Sequence, residues 1–320
     1  MAKNLGKINL LSCIVTPDIN SLNRFNSVVA WNLAKAFKKL GYKSNFVYTY
    51  KPTSRGVFLC RWLDNKNYHQ PRIPPKADHT IAISGESMLL LRGTGRGRKQ
   101  YTEEIKKAAK KYRQKIEAAT SGKIAIYLDA DYGGWAEYFD HVFTLVKPKA
   151  NAHKKYVYAG WGADPEYFYP EQTEKAIYLD CLMYDYYKGK HNKIYDTYKQ
   201  VLSDSKLKVY NPLETYHGTP RISWPELQKI LRKCHFYCLT QPGEGGLTRI
   251  EAATCGALLV VPEAFSKLRS ISSLEHKVWK TKEDLSRILK TETDPQVIRK
   301  KALEHSWDKV ASRILETLYE

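Results

Sequence analysis

Residues 241–263 read QPGEGGLTRIEAATCGALLVVPE, three glycines interleaved with Glu244 and followed by Glu251, small residues and an aliphatic run. Gly243, Gly245 and Gly246 let a ligand approach the backbone closely, because no Cβ stands in the way. TRIEAATCG reads as a helix, and one beginning near Leu247 aims free N–H groups and the positive end of its dipole at the occupant of that turn. Such a seat suits a phosphate or diphosphate. A carboxylate beside phosphate is unfavourable unless it grips something else, and the hydroxyls of a ribose or sugar are donors that it accepts well. Glu251, about one turn into the helix, is placed for a ribose, and Glu244, on the loop, for the opposite end of a diphosphate. The pattern is not a Walker loop, since no Lys-Ser or Lys-Thr follows, nor is it GxGxxG. As plain architecture, the same residues make a glycine-rich turn and a helix-capping glutamate.

The elements that must position this loop are strands alternating with helices. HFYCLT (235–240) is a strand entering the loop, and ligands of open parallel sheets bind beyond the C-terminal ends of strands. Before it, KAIYLDCLMY and KLKVY read as strands, and KIYDTYKQVL and WPELQKILRKC as helices; Pro225 stands near the first turn of the latter. After it, ALLVVP is a strand and WDKVASRILETLYE an amphipathic helix. Near the start, KINLLSCIV is a strand, SVVAWNLAKAFKKLGY a helix ending at Gly41, and SNFVYTY a strand, which together make a βαβ unit. HTIAISG, GKIAIYLD and HVFTLV continue the strand series. YVYAGWGADPEYFYPEQ (156–172) reads as a strand leaving into a Gly-Pro connector, a natural domain boundary. The expected fold class is α/β, two facing Rossmann-like doubly wound domains over residues 1–165 and 166–320. The C-terminal helix, 306–320, is expected to pack near the interdomain region.

At 320 residues and 43% apolar composition, two cored domains are affordable in length and content. No stretch has the roughly 18 to 20 uninterrupted apolar residues of a membrane span, and the reading is a cytoplasmic protein, in host cytoplasm if phage-encoded. Six cysteines scattered in apolar surroundings read as reduced thiols, and no pairs have the spacing of a tetrahedral metal site. Charge is unevenly placed: the net is +19, and residues 1–170 hold 28 Lys and Arg against 13 Asp and Glu. From Arg92 to Lys123 eleven basic residues face three glutamates, in a glycine-spaced stretch, RGTGRGRK, followed by a helix with Lys106 and Lys110 largely off its apolar stripe. A surplus confined to one domain points to a polyanionic partner there, nucleic acid or an anionic membrane face.

Four segments together resemble the retaining nucleotide-sugar glycosyltransferases of the GT-B fold, the glycogen-synthase-like and lipopolysaccharide-type group. They are YVYAGWGADPEYFYP, YKGK (187–190), EGGLTRIEAATCGALLVVP and HSWDKVASRIL. The resemblance covers 156–320 well; in 1–150 only the first βα unit is similar. It implies that Lys188 neutralises the departing diphosphate and that Gly245, Gly246, Leu247 and Thr248 contact phosphate. By the same resemblance Glu251 binds ribose, Glu244 holds the transferred sugar, and Ile222 lies where main-chain groups meet the base. It also implies an acceptor held by the N-terminal domain, with neither metal nor cofactor required. Three positions depart from the family. Glu244 and Glu251 have one residue fewer between them; Met183 replaces an arginine, leaving Lys190, Arg249 or an acceptor-domain cation to compensate; and Asn20-Ser21 stands near the expected GG. Asp129 and Asp131, in YLDADYGGW, are candidates to orient an acceptor hydroxyl, with turn or capping aspartates as the structural alternative.

Because the basic domain is the one that would hold the acceptor, DNA is the expected acceptor, gripped through phosphates by Arg92, Arg96, Arg98, Lys99, Lys106 and Lys110. The reaction expected is transfer from a nucleoside-diphosphate sugar, UDP-sugar favoured, to a hydroxymethyl- or hydroxy-pyrimidine, as in phage-type DNA glycosyltransferases. The alternatives are a glycosyltransferase acting on lipopolysaccharide or surface glycan at a membrane face, and a non-catalytic nucleic-acid-binding protein on the same fold.

Overall fold

The computed structural model describes residues 5–12, 25–48, 74–83, 103–128, 135–172, 175–180, 192–203, 205–211, 224–242 and 246–320. Strands β1 (Gly6–Ser12), β2 (Tyr42–Tyr48), β3 (His79–Ile83), β4 (Ile124–Leu128), β5 (His141–Thr144) and β6 (Tyr156–Tyr158) form one sheet in the order β2-β1-β3-β4-β5-β6. Every adjacent pair is parallel. A parallel sheet is covered on both faces, so its central strands are apolar throughout rather than alternating. Accordingly, all five residues of β3 and of β4 are buried.

Helix α1 (Phe25–Lys39) carries the chain from β1 to β2 and buries Val29, Leu33 and Phe37. It stops where Gly41 turns with φ of 88°. Helix α2 (Glu103–Ala119) buries Tyr112 and Ile116 against Ile126, Leu128 and Phe139, as its stripe predicts, and leaves Lys110 and Lys111 exposed. Arg113 pairs with Glu117 at 2.7 Å and lies over the Phe139 ring.

The second sheet contains β7 (Ala176–Asp180), β8 (Lys208–Tyr210), β9 (Phe236–Leu239), β10 (Leu258–Pro262) and β11 (His276–Trp279), in the order β11-β10-β9-β7-β8 and again all parallel. Helices α3 (Asn192–Ser203), α4 (Trp224–Lys233), α5 (Leu247–Thr254), α6 (Lys282–Lys290) and α7 (Pro295–Ala302) accompany it, and α8 (Trp307–Tyr319) follows α7 in the chain. A buried relay ties one layer together: Trp279 Nε1 donates to Tyr198 Oη at 2.8 Å, and that hydroxyl donates to the Val260 carbonyl at 2.8 Å. β11, α6 and α7 fall in the stretch after Pro262 to which sequence patterning assigned no element.

The chain divides into two compact units, one holding Arg24–Gly160 with β1, the other Trp161–Lys309. Val310–Glu320 group with the first unit, although the sequence reading carried the second domain to residue 320. There Lys123 Nζ donates to the Thr317 carbonyl at 2.8 Å, and the Tyr319 ring meets His79 edge-on with centroids 4.4 Å apart.

Candidate donor site at the switch point of the second sheet

In the second sheet the chain steps from β7 outward to β8 and then returns to the other side of β7 as β9. Crossovers leave in opposite directions from this pair, and the space beyond their C-terminal ends is where doubly wound sheets bind ligands. β7 ends at Asp180 and β9 at Leu239, so Thr240, Gln241 and Pro242 fall at this point. Asp180, Thr240 and Gln241 are all buried. Gln241 Nε2 donates to Asp180 Oδ1 at 3.0 Å, and the Thr240 hydroxyl donates to the Asp180 carbonyl. Burial pushes the Asp180 carboxyl pKa up, against the opposing pull of the Arg249 charge and of hydrogen bonds from Tyr237 and Gln241.

Gly246 is the N-cap of α5 and, as a glycine, offers no side chain to cap the helix's first N–H groups. Its φ of −168° is ordinary extended backbone. The glycine is required by space instead, since a Cβ there would lie 2.6 Å from Arg249 Nε and 2.7 Å from Arg249 Cδ. Leu247 is buried and Thr248 half-buried. The far end of α5 is closed by a Schellman motif, with Gly256 N–H bonded to the Ala253 carbonyl and Ala257 N–H to the Ala252 carbonyl. Gly256 takes φ of 82°, the left-handed conformation that this cap requires.

Glu251 is the fifth residue of α5 and is 2% exposed. Its Oε1 accepts from Trp224 Nε1 at 3.0 Å. Burial lifts its carboxyl pKa from 4.5 to about 7, with the indole hydrogen bond acting in the opposite direction. Trp224 opens α4 and packs against Tyr167 and Phe168 of the connector, with centroids at 5.3 and 5.7 Å. Helix α4, helix α5 and the connector that precedes β7 therefore converge on one carboxylate.

Chemically, a helix N-terminus at a sheet switch point accepts an anion, and a carboxylate one turn further in accepts hydroxyl donors. Of the expected donor residues, the structure brings Gly246, Leu247, Thr248 and Glu251 into this one place. Lys188, Lys190, Ile222, Glu244 and Gly245 lie outside the described residues, as do Asp129, Asp131, Arg92, Arg96, Arg98 and Lys99. Lys106 lies within α2, with its side chain outside what is described, and Lys110 is exposed. Among the described residues no cluster of three or more His, Cys, Asp or Glu could hold a metal ion, and no helix is long and apolar enough to cross a membrane. Cys234, Cys238 and Cys255 are buried free thiols.

No family model and no curated protein matches the chain. Solved structures do. The catalytic domain of starch synthase IV from Arabidopsis thaliana, bound to ADP and acarbose, aligns over 99% of each chain with a TM-score of 0.59 at 10% identity. Sucrose-phosphate synthase from Thermosynechococcus elongatus aligns over 97% of this chain and 98% of its own, with a TM-score of 0.56 at 10% identity. An alpha-glucosyltransferase in complex with UDP and a 13-mer DNA aligns over 98% and 100%, with a TM-score of 0.57 at 12% identity. The fold is GT-B. At these identities the similarity lies in architecture alone. Two residues that the geometry brings to the candidate site escaped sequence reasoning. Trp224 is separated from Glu251 by 27 residues, and its only sequence signal is an aromatic residue immediately before the proline that opens a helix. Asp180 stands inside the longer strand KAIYLDCLMY that pattern reading assigns, whereas β7 ends at it.

Proposed function

We propose that this chain is a retaining glycosyltransferase that moves a sugar from a nucleoside-diphosphate sugar, UDP-sugars first, to a hydroxymethyl- or hydroxy-pyrimidine in DNA. The observation that carries the reading is the placement of Glu251 one turn inside α5, whose N-terminus opens with Gly246 at the β7/β9 switch point. In this reading the α5 N–H groups and Thr248 take the diphosphate, and Glu251 takes the ribose hydroxyls. Lys188, with Lys190 nearby in sequence, supplies positive charge as the bond from sugar C1 to the diphosphate breaks. Charge aimed at the leaving group in this way contributes a few kcal/mol per group to transition-state stabilisation. The acceptor oxygen bonds to C1 on the face that the diphosphate leaves, and its proton passes to the departing phosphate. Glu244 holds the sugar, and Asp129 and Asp131 orient the acceptor hydroxyl. No protein nucleophile, metal or cofactor is invoked.

The acceptor assignment rests on charge. Residues 1–170 have a net charge of +15, and Lys110 and Lys111 project from α2. A duplex is bound through its phosphates by such a surface, and the reacting base must leave the stack to reach C1. Among the similar structures, one alpha-glucosyltransferase was solved with UDP and a DNA containing an HMU base, which supports this class of acceptor.

The test is a transfer assay with UDP-glucose and related donors, offering hydroxymethylcytosine DNA, unmodified DNA and lipid-linked glycan side by side. Label on the modified DNA alone is expected. Label on the lipid-linked glycan alone would replace DNA by a membrane-face acceptor, and absence of donor turnover with every acceptor would leave a nucleic-acid-binding protein on a GT-B fold.

A further inference from the structure

Arg249 is in an electrostatically awkward place. It occupies the first turn of α5, where the helix dipole repels a cation, and it is only 1% exposed. A buried, uncompensated guanidinium is costly by several kcal/mol, so neighbouring groups must offset it. Its Nη1 donates to Ser270 Oγ at 2.7 Å. Its charge acts on the Asp180 carboxylate at the end of β7. Its stem fills the volume that a side chain at Gly246 would need, and its backbone N–H donates to the Gly246 carbonyl at 3.0 Å. Asp180 is itself held by Gln241 at the end of β9. One side chain thus links the turn opening α5 to the short helical turn Arg269–Ile271.

We propose that Arg249 is a positioning residue, a buried strut tethered to Ser270 that holds Gly246 and the first turn of α5 in the geometry that receives the donor phosphates. Its guanidinium does not replace the missing arginine at Met183 as a direct phosphate ligand, because it is turned into the protein and tethered to Ser270. The glycine at 246 follows from the same device: the strut occupies the space of its side chain. The naming of the ligand rests on the glycosyltransferase reading, whereas the strut itself does not.

Two variants decide this: Arg249→Met, and Ser270→Ala as a mild change that removes only the tether. Amide exchange across α5 is read without any donor, alongside KM and kcat for UDP-glucose. Arg249→Met is expected to speed α5 exchange by roughly tenfold or more, because the hydrogen bond from the charged guanidinium to Ser270 is lost. Ser270→Ala is expected to speed exchange a few-fold with melting close to wild type, and donor KM is expected to rise more than kcat falls. Unchanged α5 exchange in Arg249→Met and Ser270→Ala would overturn the proposal. If Arg249→Met does not fold, Ser270→Ala and Arg249→Lys, which keeps the charge but shortens the reach to Ser270, are read in the same way. A wild-type chain that binds no UDP-glucose would refute the glycosyltransferase reading, and the exchange results would still decide the strut.

Discussion

Glu251 combines two demands that oppose one another. It must be ionised to accept two hydroxyl donors well, yet its surroundings lift its carboxyl pKa from 4.5 to about 7. Between those values the folded chain holds a proton that the unfolded chain has lost. This group's contribution to stability is therefore full below pH 4.5 and falls as pH rises through 7. Glu251→Gln is accordingly expected to melt higher than wild type at about pH 8, with the advantage gone at about pH 4.5, in thermal unfolding followed by circular dichroism. The same titration makes wild-type donor affinity rise with pH through 7, and the glutamine variant should lack that limb. Stability sacrificed at a buried carboxylate is common where the group has a binding task.

At the scale of the element, α5 is set by its two ends. Its start is shaped by the Arg249 stem under Gly246, and its end by Gly256, where a Cβ would lie 2.5 Å from Pro295 Cβ and 2.8 Å from the Pro295 carbonyl oxygen. Gly256→Ala places a side chain in a left-handed conformation that costs about 1–2 kcal/mol before any clash. A loss of roughly 2 kcal/mol or more in urea unfolding is expected, and a loss under about 0.5 kcal/mol would mean that the cap does not hold. TRIEAATCG and the strands on either side of it were legible in the sequence because their apolar runs, glycines and cap residues all agree. β11, α6 and α7 were not. β11 is an edge strand with exposed Lys277 and Val278, and α6 and α7 each bury only two side chains, Leu285 with Leu289 and Ile298 with Ala302. So little apolar pattern is hidden by the surrounding charge. Arg249 was read only as a cation near the phosphates, since an arginine in a first turn gives no sign in one dimension that it folds back beneath its own N-cap. The Trp224–Glu251 hydrogen bond is likewise a product of packing between α4 and α5, which no local spacing encodes.

For the whole molecule, charge placement separates the proposed tasks of the two halves. If exposed lysines of α2 meet DNA phosphates, Lys110→Glu with Lys111→Glu should weaken binding to any DNA sequence and reduce the salt slope by about one for each phosphate no longer neutralised. Donor hydrolysis in the absence of DNA should be unchanged. Equal DNA affinity before and after the change, measured by anisotropy across a salt series, would remove α2 from the acceptor surface. The central claim is that the switch point of the second sheet binds a nucleoside diphosphate through its ribose hydroxyls at Glu251. Calorimetric titration of wild type and Glu251→Gln with UDP and with its 2′,3′-dideoxy analogue tests this directly. Wild type should prefer UDP by about ten- to a hundredfold, the worth of a hydrogen bond to a charged group, and the variant should lose most of that preference. Equal affinity of wild type for the two nucleotides, or a preference that survives in Glu251→Gln, would contradict it.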